Sequence, residues 1–256
     1  MIFLEYRAKQ LRLSIGSLII ACMFIPTSYV SATRMYLFIT PSHEQMFHDY
    51  FLPSLQDDYE LVIRRFDQTC PSACFMESGW KATVIKKVEM LIDACADPEN
   101  KGKIFLYSDI DIQFFKPTQQ IIFDLMADKT LDIVIQKDHE KGTACTGFLA
   151  CRASDRTRVF WCYVRDIMLE SMNAERPIGD QAAFNILVNL QSTQRHIKWS
   201  FLPETFLGPG IIIGERWTPG VELSIPQDIV MHHANWTVGI ENKIKQLSYV
   251  RSLVLR

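Results

Sequence analysis

The run Ile104-Phe-Leu-Tyr107 constrains this chain more than any other segment. Neighbouring side chains of a strand point to opposite faces, so a strand that is apolar almost throughout is one covered on both sides. Helical patterns surround it. Residues 79–95 carry Val84, Val88, Leu91 and Cys95 at i, i+4, i+7 and i+11, the spacing of an amphipathic helix. The same reading predicts strands over residues 35–40, 60–66, 103–107, 131–136, 144–151 and 229–233. It predicts helices over 44–55, 155–171, 180–190 and 239–253, and a loop over 70–78. Strands alternating with helices predict an α/β fold, with a mostly parallel twisted sheet flanked by helices. With no internal repeat or long linker, residues 33–256 read as one domain.

The first 32 residues differ from the rest. Arg7, Lys9 and Arg12 precede an apolar run over residues 13–25, followed by the small-residue stretch Val30-Ser31-Ala32. That layout predicts a signal peptide cleaved after Ala32, or a short signal anchor, and hence a secretory, lumenal or membrane-associated protein. A run this short falls below the roughly 20 apolar residues of a stable span. Strand one starts within a few residues of Ala32, which leaves no stem. Translation from Met35 is the competing reading and would make the protein cytoplasmic. The formal net charge of −2 argues against nucleic-acid binding, which needs a basic excess or stripe. Seven cysteines with no Cys-x-x-Cys spacing argue against a zinc site. Without residues 1–32 six cysteines remain, which permits disulfides without requiring them.

The apolar strand runs into Ser108-Asp109-Ile110-Asp111. Ligands of open α/β sheets collect at the carboxyl ends of strands. Two carboxylates at i and i+2 on extended chain face one side, where they repel unless a cation lies between them. Hard oxygen ligands of this kind suit Mg²⁺ or Mn²⁺ together with substrate phosphates. A solvated acidic turn is the plainer alternative. A phosphohydrolase of the haloacid dehalogenase type also uses an Asp-x-Asp, but places it on the first strand. Here two βα units come first, and the later Gly179-Asp180 lacks an Asp four residues on, where Phe184 stands.

Five segments, taken in order, resemble the nucleotide-diphospho-sugar transferase family. They are Phe38-Ile-Thr-Pro-Ser-His-Glu44, Phe105-Leu-Tyr-Ser-Asp-Ile-Asp-Ile-Gln-Phe-Phe115, Cys145-Thr-Gly-Phe148, Gly179-Asp-Gln-Ala-Ala-Phe-Asn185 and Met231-His-His-Ala-Asn-Trp-Thr-Val-Gly-Ile-Glu-Asn-Lys243. The resemblance implies a GT-A-type glycosyltransferase fold and a divalent metal, usually Mn²⁺ with Mg²⁺ as the alternative. It also implies transfer of a hexosyl or pentosyl group from a nucleoside-diphosphate sugar, UDP-sugar foremost, to a glycan, protein or lipid acceptor, with retention of configuration. By resemblance, Asp109, Asp111 and His233 hold the metal. His232, next to His233 on a strand, faces the other way. Gly239 and Lys243 meet the diphosphate, and Asp180 and Gln181 lie at the transferred sugar. Thr40 meets the base or ribose, and Lys86 is a further candidate for the donor phosphates. Gly147 and Phe148 form the floor of the sugar pocket, or are core. Asn185, four residues after Gln181, shares its helix face, so the two can bind sugar hydroxyls together. Asp180 can equally cap its helix.

Asn235-Trp236-Thr237 is the one glycosylation sequon. It lies in the candidate site and reads as structural. Two classes of function remain from the residues: a metal-dependent glycosyltransferase, and a sugar-nucleotide-binding protein of the same fold without turnover.

Overall fold

The computed structural model describes residues 32–67, 70, 77, 79–138, 142–171, 177–190, 197–208 and 216–256. Residues 1–31 of the predicted leader, and nearly all of the predicted loop over 70–78, lie outside them. Strand β1 (Arg34–Ile39) leads into an irregular helix, α1 (residues 41–54). Pro41 sits at its start, where a missing N–H costs nothing, and residues Phe47–Phe51 form a π turn. There follow β2 (Glu60–Arg65), α2 (Trp80–Ala96), β3 (Ile104–Ser108), β4 (Ile112–Phe114), α3 (Gln119–Leu125), β5 (Ile133–Lys137) and β6 (Ala144–Arg152). The chain continues through α4 (Asp155–Glu170), α5 (Asp180–Asn189), β7 (Trp199–Phe201), β8 (Phe206–Leu207), β9 (Met231–His233) and α6 (Ile240–Val254).

The main sheet has the order β2-β1-β3-β6-β5-β7, and β6 alone runs against the others. That reversal has a local cause. Only residues 138–143 join β5 to β6, too few for the crossover that parallel neighbours require. The alternation of β3 divides the core. Phe105 and Tyr107 join α2, α4 and α5 on one face. Leu106 joins α1 and α6 on the other. The continuous apolar run is therefore the trace of a central strand with two buried faces. Ser154 opens α4 with a capping box, accepting from Thr157 N at 3.2 Å while its own N–H donates to Thr157 Oγ1 at 3.1 Å.

A second sheet, β4-β9-β8, lies within the second face's core. Its strands are two or three residues long, and only β9 is predicted from the sequence. This small sheet sets the site. Asp109–Asp111 is the crossing from β3 to β4, and β4 pairs antiparallel with β9 so that Ile112 opposes His233. Asp109 N donates to Gly147 O at 2.7 Å, and Ala234 N donates to Asp111 O at 2.8 Å. Residues Thr33–Arg256 form one compact unit. Among the described residues no helix is long and apolar enough to cross a membrane.

Candidate metal and donor site

A cavity of about 490 Å³ opens at the carboxyl ends of β1 and β3, beside the start of β6. One ligand atom each from Asp109, Asp111 and His233 lie within 4.8 Å of one another on its wall. Ile110, between the two carboxylates, is buried in the core beneath, which is the two-residue alternation at work. His233 Nε2 lies 3.3 Å from Asp111 Oδ1 and 3.9 Å from Asp109 Oδ2. Its other nitrogen, Nδ1, lies 2.9 Å from Gln136 Oε1. The Gln136 amide is oriented because its Nε2 donates to Phe206 O at 3.1 Å. Oε1 therefore accepts from Nδ1–H, and Nε2 is the nitrogen turned to the carboxylates. This is how a buried partner selects the tautomer of a ligating histidine. His232 points the other way, fully buried, with Nδ1 3.2 Å from Gln113 Nε2.

Three cations balance the acids. The Lys243 ammonium contacts the Asp111 carboxylate and donates to Ala234 O at 3.1 Å. Burial alone would push the Asp111 carboxyl up, but Lys243 and His233 overcome it and hold it well below the usual carboxylate range. Burial opposes charge on His233 as well, yet Asp111 outweighs it and lifts the imidazole to about 10. Lys87, only 5% exposed, bridges Asp109 Oδ1 at 3.3 Å and Asp180 Oδ2 at 2.9 Å. Its ammonium also lies 4.9 Å from the centre of the Tyr107 ring, within cation–π reach. Burial opposes the charge of Lys87, and the two carboxylates more than restore it. Tyr107 OH donates to Asp109 Oδ1 at 2.5 Å, and Thr146 Oγ1 donates to Asp180 Oδ2 at 2.7 Å.

The structure gathers most of the sequence-predicted residues on this cavity: Thr40, Asp109, Asp111, Gly147, Asp180, Gln181, His233 and Lys243. Thr40 Oγ1 lies 2.9 Å from His43 Nδ1, and His43 also lines the wall. A Cβ at Gly147 would run into the His233 ring and come within 2.8 Å of Asp109 Oδ2, so a glycine is what lets β6 pass behind these two side chains. Asp180 does not cap α5. That position is Gly179, and Asp180 is the first helical residue.

Four assignments are not on the cavity. Lys86 is exposed and paired with Glu89 at 2.8 Å; the lysine that enters the site is its neighbour. Val84, Lys87, Val88 and Leu91 occupy one helical face, so the phase of α2 already distinguished Lys87. Asn185 clamps the start of β6, accepting from Ala144 N and donating to Ala144 O, both at 2.8 Å. Its amide serves the fold while Gln181 alone faces the cavity. Phe148 is core, packed between Phe114 and Phe206. Gly239 opens α6 at φ 84°, ψ 143°, a conformation essentially restricted to glycine; its neighbour Val238 is the one on the cavity wall. Sequence reasoning missed Lys87, Gln136 and Asp138. Gln136 is a fully buried amide that directly follows the apolar run Ile133-Val-Ile135 in β5, the one pattern that marked it.

No curated protein is similar enough to this chain to be matched. Among solved structures, a glycosyltransferase involved in glycosylation of the major capsid of PBCV-1 is similar at TM-score 0.53. It is 10% identical, and the likeness covers 84% of this chain and 99% of that one. Mouse xyloside xylosyltransferase 1 in its apo form gives TM-score 0.48 at 9% identity, over 80% and 98% of the two chains. At these identities the first likeness shows the fold alone: an α/β glycosyltransferase fold. Residues 71–247 match the pattern described as nucleotide-diphospho-sugar transferase. That span is more than half of the chain, and it places the protein in the nucleotide-diphospho-sugar transferase family.

Proposed function

We propose that this protein is a metal-dependent glycosyltransferase that moves a sugar from a nucleoside-diphosphate sugar, UDP-sugar foremost, to an acceptor hydroxyl. The observation that carries this reading is the convergence of Asp109, Asp111 and His233 within 4.8 Å, with Lys243 touching the same carboxylate. Two carboxylates and an imidazole nitrogen fit Mn²⁺, or Mg²⁺ less well because of the nitrogen. When bound, such an ion supplies charge stabilisation to the departing diphosphate. Asp109, Asp111 and His233 Nε2 would hold it.

The chain's own side chains do the rest. Lys243 neutralises charge that builds on the leaving diphosphate, an electrostatic contribution typically worth about 3 kcal/mol of barrier. Lys87 fixes the direction of the Asp109 and Asp180 carboxylates and holds the Asp180 carboxyl below its usual range, so neither needs to reorganise as charge develops. Gln181 faces the cavity beside Asp180 and is placed to hold a sugar hydroxyl. Thr40, at the end of β1, belongs to the nucleoside side of the cavity. Both Lys87 and Thr146 already bind the Asp180 carboxylate, which speaks against its use as a covalent nucleophile. Retention of configuration rests on the family resemblance, and NMR of the product's anomeric proton tests it.

A thermal-shift panel of nucleoside-diphosphate sugars with and without Mn²⁺ tests the function. Metal-dependent stabilisation by a UDP-sugar is expected, and release of UDP over time separates an enzyme from a silent binding protein. Asp111→Asn removes a charged oxygen ligand and should abolish both. A variant that kept Mn²⁺-dependent binding would overturn the metal assignment. We further propose that residues 1–32 are a cleaved leader or short anchor directing residues 33–256 to the secretory pathway. N-terminal sequencing of the mature protein should then begin at Thr33, and an intact Met1 in the cytosol would refute it.

A further inference from the structure

Trp236 is an unusual residue for a cavity wall. It is the only non-glycine residue with positive φ among those described, at 55°, a conformation that ordinary side chains avoid. It belongs to neither apolar core cluster and is 38% exposed, so packing does not explain the strain. Its rim is nevertheless fixed. The indole Nε1 donates to Asp138 Oδ1 at 2.6 Å, and the backbone N donates to Asn235 Oδ1 at 2.9 Å. The same Asp138 accepts from Gln181 Nε2 at 2.6 Å. That leaves Gln181 Oε1 to accept from a ligand hydroxyl. The result is a flat apolar ring at the cavity wall, tied at its edge to a carboxylate and near an amide.

Strand order says which part of a substrate meets this ring. Asp138 follows β5, two strands from β3, while Thr40 follows β1, adjacent to β3 on the opposite side. With strands about 4.8 Å apart, Asp138 and Thr40 stand roughly 14 Å apart across the site. The nucleoside belongs over the parallel half, β2-β1-β3, by the strand-end rule. The Trp236 side therefore receives what lies beyond the diphosphate. A sugar ring matches it, because such a ring offers a C–H face to an aromatic plate and hydroxyls around its rim.

We propose that Trp236, positioned by Asp138, is a stacking platform for a saccharide acceptor, so that the group glycosylated is itself a sugar. This rests on the glycosyltransferase reading above. The sugar-ring chemistry is shared by donor and acceptor, and two variants of the full chain separate them. Trp236→Ala removes the ring; Trp236→Phe keeps an aromatic face without the indole N–H. Calorimetry measures UDP and UDP-glucose affinity with Mn²⁺. Saturation-transfer NMR, with Mg²⁺ and UDP present, measures binding of methyl glycosides of glucose, galactose, mannose, xylose and arabinose.

At least one methyl glycoside should bind the natural protein. Trp236→Ala should weaken it by about tenfold and Trp236→Phe by only about threefold, with UDP affinity held within about twofold in both. Unchanged glycoside binding in Trp236→Ala overturns the proposal, as does the absence of any glycoside binding by natural protein that binds UDP. If Trp236→Ala weakens UDP-glucose relative to UDP while sparing the glycosides, the ring serves the donor and the acceptor assignment falls. Weakened UDP itself would mean that a base stacks there, and the acceptor assignment falls in that case too. Natural protein that fails to bind UDP with metal refutes the transferase reading itself, before any variant is compared.

Discussion

His233 carries its proton unusually firmly, and that has a measurable sign. Its pKa is lifted to about 10 by Asp111 against the cost of burial. Below that pH the side chain holds a proton, whereas a metal ligand must be the neutral imidazole. Binding of Mn²⁺ at about pH 7.5 should therefore release about one proton, and apparent affinity should rise up to about tenfold per pH unit. Calorimetry in two buffers of different ionisation enthalpy measures the release; a value near zero would mean that His233 is not a ligand. Lys87 gives a second contrast. Removing one partner of a buried ion pair typically costs about 3–5 kcal/mol, whereas an exposed pair is worth about 0–1. Lys87→Met should lower stability by roughly the first amount and Lys86→Met by the second, as read from urea midpoints. Equal effects would contradict the phase of α2. At this scale the sequence was informative where spacing alone sets direction. Asp109 and Asp111 fall on one side because they are two apart, and His232 and His233 diverge because they are neighbours. Lys86 was misplaced by one residue, which on a helix is a turn of about 100°.

Among the elements, length decided what could be read. α2 and α4 are long enough to show a period and β3 to show an unbroken apolar run, and their predicted bounds agree with the structure within one or two residues. β4 and β8 have three and two residues, too few for any alternation, and their pairing with β9 joins positions far apart in sequence. The small sheet that brings His233 to Asp111 was thus invisible, although its most important residue was not. The direction of β6 was open to a loop-length argument. Its passage behind the site also makes a prediction. In Gly147→Ala the new methyl group would occupy space held by the His233 ring and the Asp109 carboxylate. Metal-dependent UDP binding should fall by about tenfold or more, while far-UV circular dichroism stays as in the natural protein. Repacking that large substitutions force on a filled site costs about 1–3 kcal/mol, enough for that loss. Unchanged binding would show that His233 need not stand where it does.

For the molecule as a whole, the side chains at the cavity have a consequence when their charges are added. Asp109, Asp111 and Asp180 carry three negative charges; the cations paired with them, Lys87, Lys243 and protonated His233, carry three positive ones, so this ion-paired set sums to zero, with Arg216 a further cation on the cavity wall. A nucleoside diphosphate alone loads that neutral set with negative charge, and a dication offsets part of the load even after it displaces the His233 proton. The site is thereby disposed to accept them as a pair. By reciprocity, the factor by which Mn²⁺ tightens UDP must equal the factor by which UDP tightens Mn²⁺. A coupling of about 1–3 kcal/mol is the usual range for linked sites. Titrating each ligand in the absence and presence of the other should give the same factor twice, well above unity. Two independent affinities would show that this neutrality has no bearing on binding. Coupled in this way, donor and metal would each be held more tightly when the other is present. The three-against-three arrangement around Asp111 then works as a coincidence detector, one that needs no moving part.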